Sequence, residues 1–182
     1  MNHLGTIELV TQRLKLRRIK ESDALEIYEG LRNQEEFLYY THKEKITLQE
    51  EIDSLKGIDE KYKNKDYYNW LITQISDGKI VGMINLRVME INECVEFNYA
   101  IDKRYTKRGY MSEALKCIID FALNKMKVNR IQGGCSVKNI ASKTVMEKCG
   151  MEYEGTLKNY LILKDGYHDM HMYSLINKEK EN

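Results

Sequence analysis

The sequence predicts an α/β fold: a mixed, mostly antiparallel central sheet of about seven strands flanked by four helices, in the order βααβββαβαββ. Between Tyr68 and Ile101, apolar and polar residues alternate in segments joined by short polar turns, the pattern of an antiparallel meander. From Met111 to Met126 the apolar positions instead recur at helical gaps, through Ala114, Leu115, Ile118, Ile119, Ala122 and Leu123. A further strand-like segment follows that helix, and a β-helix-β unit implies a parallel pair with a right-handed crossover. The chain has 182 residues and no proline, Gly/Ser-rich linker or repeat, so one domain is expected over 1–182, with 177–182 as a solvated tail.

The elements follow in order. Leu14, Leu16 and Ile19 suggest a first strand, after which Ser22 or Asp23 would cap a helix through Leu25, Ile27, Tyr28 and Leu31. Thr47 and Glu50 have capping-box spacing, and Leu48, Ile52, Leu55 and Ile58 predict a second helix reaching about Tyr62. Segments 68–75 and 80–88 flank the turn Asp77-Gly78 as a hairpin. In the next strand Val95, Phe97, Tyr99 and Ile101 share one face, and Cys94, Glu96, Asn98 and Ala100 the other. After the long helix come a strand over 130–137, a helix from Asn139 stopped by Gly150, and strands near 153–157 and 170–176.

Composition narrows the class of function. Lys+Arg 29 against Asp+Glu 28 leaves a formal charge of +1, without the basic excess that non-specific nucleic-acid or anionic-membrane binding needs. Cys94, Cys117, Cys135 and Cys149 form no C-x-x-C pair and no zinc set, so reduced core or semi-core thiols are expected, with no metal. No apolar run is long enough for a membrane span, and the first residues lack the apolar block of a signal peptide. The expected address is cytoplasmic.

Two segments can carry chemistry. In Tyr105-Thr-Lys-Arg-Gly-Tyr-Met-Ser-Glu-Ala114 a basic loop enters the strongest helix, where free N–H groups, the helix dipole and Gly109 suit an anion such as a pyrophosphate. The alternative is a solvated turn. Walker-type G-x-x-x-x-G-K-S/T and dinucleotide G-x-G-x-x-G motifs are absent. In Val137 to Gly150 a strand end delivers a helix with Asn139 and Ser142 in its first turn; on spacing alone Asn139 reads as an N-cap and Ser142 as an ordinary first-turn residue. Two helix starts beyond neighbouring strand ends match the place where open α/β sheets bind ligands.

These residues resemble the GNAT superfamily of acetyl-CoA-dependent N-acetyltransferases, and within it the Rim-type branch that acetylates ribosomal-protein N-termini. The resemblance runs through Thr11-Gln-Arg-Leu-Lys-Leu-Arg17, Glu96-Phe-Asn-Tyr-Ala-Ile101, Arg108-Gly-Tyr-Met-Ser-Glu-Ala114, Asn139-x-x-Ser142, Glu147-Lys-x-Gly150 and Glu154-Gly155. It implies that the backbone of Arg108, Gly109, Tyr110, Met111 and Ser112 holds the coenzyme pyrophosphate. Tyr99, Ala100 and Ile101 would bond the pantetheine arm, and Asn139 would lie near the thiol end. Thr106 and Met111 depart from the family loop Q/R-x-x-G-x-G/A, and Met111 is expected to crowd the cradle. Met146 stands where many relatives place a Tyr general acid, so none is carried over.

A mechanism follows. An amine must lose a proton before it attacks a thioester, and an α-amine with an ordinary pKa of about 8 arrives largely charged. Glu96 is the expected general base, through water, and a surface carboxylate is its alternative. A backbone N–H of the Glu96 strand would stabilise the oxyanion, and Ser142 would assist or position the leaving thiolate. No His is placed by spacing to activate a thiol, so direct transfer is expected. His168 and His171 read as surface or substrate-side residues. Phe37, Tyr39, Tyr40, Tyr67, Tyr68 and Trp70 read as core or as acceptor contacts. The acceptor is expected to be a protein or peptide N-terminal amine, such as that of a ribosomal protein; a small amine (polyamine, amino acid or aminoglycoside) and a non-catalytic CoA-binding module are the alternatives. Both monomer and homodimer are compatible, since a C-terminal edge strand could pair.

Overall fold

The computed structural model describes residues 1–33, 46–163 and 165–180. Its centre is an eight-stranded sheet in the order β1-β2-β3-β4-β5-β6-β8-β7. The strands are β1 (Leu9–Val10), β2 (Leu14–Arg17), β3 (Tyr67–Gln74), β4 (Ile80–Met89), β5 (Cys94–Ile101), β6 (Arg130–Ser136), β7 (Glu152–Leu163) and β8 (Gly166–Ile176). The helices are α1 (Ala24–Ile27), α2 (Leu48–Leu55), α3 (Ile58–Lys61), α4 (Tyr110–Asp120) and α5 (Ile140–Lys148). All adjacent pairs are antiparallel except β5 and β6, which flank the crossover through α4.

Each face of the sheet is packed by its own helices. On one, Ala114, Leu115 and Ile118 of α4 and Met146 of α5 meet Trp70, Ile84, Leu86, Val95 and Phe97. On the other, Ile27, Leu31, Leu55, Ile58 and Tyr62 cover Leu71 and Met83. Burying apolar residues from both sides stabilises the central strands by roughly 25 cal/mol per Å² removed from water.

Several expectations change. There are eight strands where about seven were expected, because Leu9–Val10 is too short for alternation to register and forms by pairing with Leu16 and Lys15. The first helix is entered through a 3₁₀ turn, Glu21–Asp23; Asp23 occupies its N-cap position without a side-chain cap bond, its carboxylate instead accepting the Lys20 N–H at 2.7 Å. It runs on as a π-helical turn through Arg32, and Leu25 faces solvent. The Thr47 capping box forms, with Thr47 Oγ1 accepting the Glu50 N–H and Glu50 Oε2 accepting the Thr47 N–H. The helix does not reach Tyr62 unbroken: Gly57 at φ 66° ends one segment and starts α3, a left-handed conformation that favours glycine. β7 and β8 are far longer than the apolar signal suggested, since they pair with each other through polar, exposed residues. β8 is interior and β7 forms the edge, so the exposed C-terminal edge is the penultimate strand. Asn177 is no part of a solvated tail: it is buried, and its Nδ2 donates to Leu123 O and Val128 O.

Tyr68 and Trp70 are core residues and Tyr67 is 44% exposed, whereas Phe37, Tyr39 and Tyr40 lie outside the described residues. Cys94 and Cys135 are buried, Cys117 and Cys149 are half-buried, and all four are free thiols. Among the described residues no helix is long and apolar enough to cross a membrane, and no cluster of His, Cys, Asp and Glu could hold a metal ion.

Across β6, β7 and β8, the Arg130 guanidinium pairs with Glu154, whose Oε1 also accepts from Ser174 Oγ at 2.6 Å. The Arg130 and Ser174 hydrogen bonds hold the Glu154 carboxyl down to about 2. A carboxylate depressed below its unfolded value stabilises the fold above about pH 4.5, and that contribution is lost as pH falls towards about 2. Glu154 is partly exposed, so solvent limits the effect to under about 1 kcal/mol. Urea unfolding of Glu154→Gln is therefore expected to show a small deficit at pH 7 that shrinks by pH 2.5. A deficit that does not change with pH would refute the ionic origin.

Candidate active site

β5 and β6 pair only over Cys94↔Arg130, Val95↔Ile131 and Glu96↔Gln132. Beyond Glu96 the strands diverge, while β5 stays paired with β4 and β6 with β8. Among the described residues, the β6-facing edge of β5 is therefore not paired with β6 beyond Glu96. A groove of about 860 Å³ passes through this opening, lined by Met83, Asn85 and Arg87 on one side and by Ser136, His168 and Met170 on another.

The groove's lining reaches Thr106, in the loop that leads to the start of α4. The first intrahelical bond of α4 runs from Glu113 N to Gly109 O, so the N–H groups of Tyr110, Met111 and Ser112 precede the ladder and are available to an anion. Gly109 has φ 78°, and a Cβ there would meet only the Arg13 guanidinium, at 3.6 Å. The basic loop is braced from outside. Arg13 Nε donates to Glu113 Oε2 at 2.6 Å, Arg13 Nη1 donates to Arg108 O at 3.1 Å, and the guanidinium lies 4.5 Å from the Tyr110 ring centre. Glu113 also accepts from Thr11 Oγ1 at 2.6 Å. This bracing was missed in the sequence, because it joins residues about a hundred positions apart. Met111 does not crowd the cradle as expected: its side chain is 4% exposed and packs in the core, so only its backbone faces the loop.

At the other helix start, Asn139 Oδ1 accepts the Ser142 N–H at 3.0 Å, so Asn139 is an N-cap. Ser142 Oγ is 2.7 Å from Tyr99 Oη, and the Tyr99 ring stacks on Phe97. The structure thus joins two predicted residues by a side-chain bond that spacing did not reveal. Met146, where a phenol was sought, is fully buried in the core. Burial pushes the Cys135 thiol up despite its hydrogen bond to Ser142, and pushes Cys149 up to about 11, so these thiols stay protonated at neutral pH.

Glu96 lies at the apex of the opening, half-buried, on the face away from α4. Its Oε2 accepts from Gln132 Nε2 at 3.2 Å, and Gln132 Oε1 in turn accepts from Arg130 Nε at 2.7 Å. Arg87 stands directly opposite Glu96 on β4. Towards the open end, His168 is 6% exposed and lines the groove, so of the two expectations the surface one is excluded and the substrate-side one remains. Its Nδ1 lies 3.0 Å from Ser136 Oγ and its Nε2 lies 2.6 Å from Asp165 Oδ1. Burial would raise the Asp165 carboxyl, yet hydrogen bonds from His168 and Lys138 hold it below the usual carboxylate value.

Among known proteins, the acetyltransferase (GNAT) domain family matches residues 13–152. The chain belongs to the GNAT acetyltransferase family. A ribosomal-protein-serine acetyltransferase of Escherichia coli is 24% identical over 169 residues, covering 92% of this chain and 94% of the relative. The ribosomal-protein-S5-alanine acetyltransferase of Vibrio fischeri shares the fold with a TM-score of 0.83 at 22% identity, covering 97% of this chain and 100% of that one. RimL, a ribosomal-protein α-N-acetyltransferase solved with coenzyme A, gives a TM-score of 0.80 at 22% identity over 92% and 96% of the two chains. This GNAT chain is therefore an acyltransferase with acetyl-CoA as cosubstrate, similar to the Rim-type branch. The N–H groups at the start of α4, the Cβ-free position at Gly109 and the β5 edge that β6 leaves beyond Glu96 fit a pyrophosphate followed by an extended amide-bearing arm.

Proposed function

We propose that this acetyltransferase modifies the N-terminal amine of a protein or peptide. The charge of the groove carries the reading. Among the described residues its lining brings Arg87, Lys103, Lys138 and the Glu51-paired Arg32 together with Glu96 and Asp165 as carboxylates, a balance that suits a polypeptide with acidic groups and disfavours a polyamine. The relatives acting on ribosomal proteins support the same class of acceptor.

In this reading acetyl-CoA supplies an activated acyl group, and the chain supplies position and proton transfer. The backbone of Arg108 to Ser112 holds the pyrophosphate, and Tyr99 to Ile101 hydrogen-bond the pantetheine arm along the β5 edge beyond Glu96. A β5 N–H polarises the thioester carbonyl as negative charge develops on its oxygen. Glu96, oriented by Gln132, takes the amine proton through water. The Ser142 hydroxyl, held by Tyr99, faces the leaving sulfur, with Asn139 fixing the helix start that presents it. The raised thiols of Cys135 and Cys149 disfavour an acetyl-cysteine intermediate.

Two measurements test this. Acetyl-CoA and CoA near 100 times Kd are expected to raise Tm by about 5–11 °C, from about 2.7 kcal/mol at roughly 2–4 °C per kcal/mol, and ATP is expected not to. Thiol release is then compared for tetrapeptides beginning with Ser, Ala or Met, with acidic or basic residues following, and for spermidine. Faster release with the acidic peptides is the expected result. Preference for spermidine would overturn the acceptor class, and binding without turnover of any amine would favour a coenzyme-binding module.

A further inference from the structure

Ser136, His168 and Asp165 form a hydrogen-bonded chain that the transfer mechanism above does not use. Ser136 ends β6 beyond the point where that strand leaves β5, and by alternation it shares a face with Gln132 and Gly134, the face on which Glu96 lies. The directions of the bonds follow from their partners. Ser136 Oγ accepts the Lys138 backbone N–H at 3.3 Å and lies 3.0 Å from His168 Nδ1, to which it donates when that nitrogen carries no proton. Asp165, held ionised, accepts at 2.6 Å, which places the ring proton on Nε2. Neutral His168 thus offers Nδ1 as a base behind a hydroxyl that lines the groove.

We propose that Asp165, His168 and Ser136 form a proton relay for the acceptor amine at the open end of the groove. It rests on acetyl transfer to an amine in this groove. The ammonium gives a proton to Ser136 Oγ as the Ser136 hydroxyl proton passes to His168 Nδ1. The products are a neutral amine, an unchanged serine and an imidazolium held between Ser136 and the Asp165 carboxylate. Asp165 is half-exposed, so the proton then leaves to water. Among the described residues, the charged groups around His168 are Asp165 on the turn and Lys138 after β6, whose Nζ lies 3.3 Å from the second Asp165 oxygen. Its neighbours in the groove wall on β7 and β8, Leu161, Leu163 and Met170, carry no charge. His168 serves the mouth, where the entering ammonium sheds its first proton, and Glu96 the apex, where the nitrogen sheds its second proton after attack.

Two readouts test the relay. Long-range ¹H–¹⁵N correlation of the whole enzyme between pH 5.5 and 9 should show the neutral His168 ring as the Nε2–H tautomer. An Nδ1–H tautomer would overturn the proposal. With the best acceptor among the peptides and spermidine, His168→Gln should lower kcat/KM about 100-fold and remove one ionisation from its pH profile, and Ser136→Ala should lower it about tenfold. The acetyl-CoA thermal shift should be unchanged in both. A His168→Gln profile that keeps the wild-type shape would reduce the chain to a structural clamp. If that variant fails to fold, Ser136→Ala and the tautomer decide. Spermidine as best acceptor would overturn the peptide reading and leave the relay to be judged on spermidine; if no amine is used, the tautomer alone judges it.

Discussion

Glu96→Gln should lower kcat about 1,000-fold and leave acetyl-CoA binding intact, because it keeps the side-chain shape and hydrogen bonding while removing the proton-accepting charge. The carboxylate sits where β5 and β6 part, one oxygen tied to Gln132, in a half-buried position that a solvated surface carboxylate would not occupy. The rate should recover in part as pH rises and more α-amine loses its proton to solvent. A steady-state profile from pH 6 to 10 with the best tetrapeptide checks this. An unchanged kcat and profile would show that Glu96 is a structural partner of Gln132, and the proton would then have to leave by way of Ser136 and His168.

The second large effect falls on the fold itself. Gly82 pairs with Ile101 across β4 and β5, and a Cβ there would stand 2.4 Å from the Ala100 carbonyl oxygen and 3.2 Å from Ile101 Cα. Neither atom belongs to a flexible side chain, so β5 must move. Overpacking of this kind costs about 3 kcal/mol, less a few tenths gained from reduced unfolded-state freedom. Gly82→Ala is therefore expected to lower Tm by about 6–12 °C. Because the displaced stretch is the Tyr99–Ile101 edge that would bond the pantetheine arm, the shift produced by acetyl-CoA should shrink as well. A Tm within a degree of wild type would mean that β4 and β5 separate easily here, and the rigid edge assumed for coenzyme binding would be wrong.

The site was legible where local pattern governs it. Alternation along 94–101 put Glu96 on the face opposite Val95 and Phe97, and the structure keeps it there. The break at Gly109 and the helix after it were equally clear. Met111 was misjudged for an identifiable reason: its place in the loop motif suggested crowding, while its spacing from Ala114, Leu115 and Ile118 already put it on the apolar stripe. When a backbone N–H and a side chain belong to one residue at a helix start, they can face opposite directions, the N–H towards a ligand and the side chain towards the core.

The sequence by itself determined the fold class, the meander, the long helix, both helix starts and the resemblance that named the cosubstrate. These depend on periodicity, caps and short motifs, which act over a few residues. The tertiary structure decided the rest: the eighth strand, the length of the last hairpin, the Arg13–Glu113 brace, the Tyr99–Ser142 bond and the chain from Asp165 through His168 to Ser136. Ser136 and His168 are 32 positions apart and meet only because β6 and β8 pair. No local spacing encodes such a meeting; the strand register of the folded sheet does.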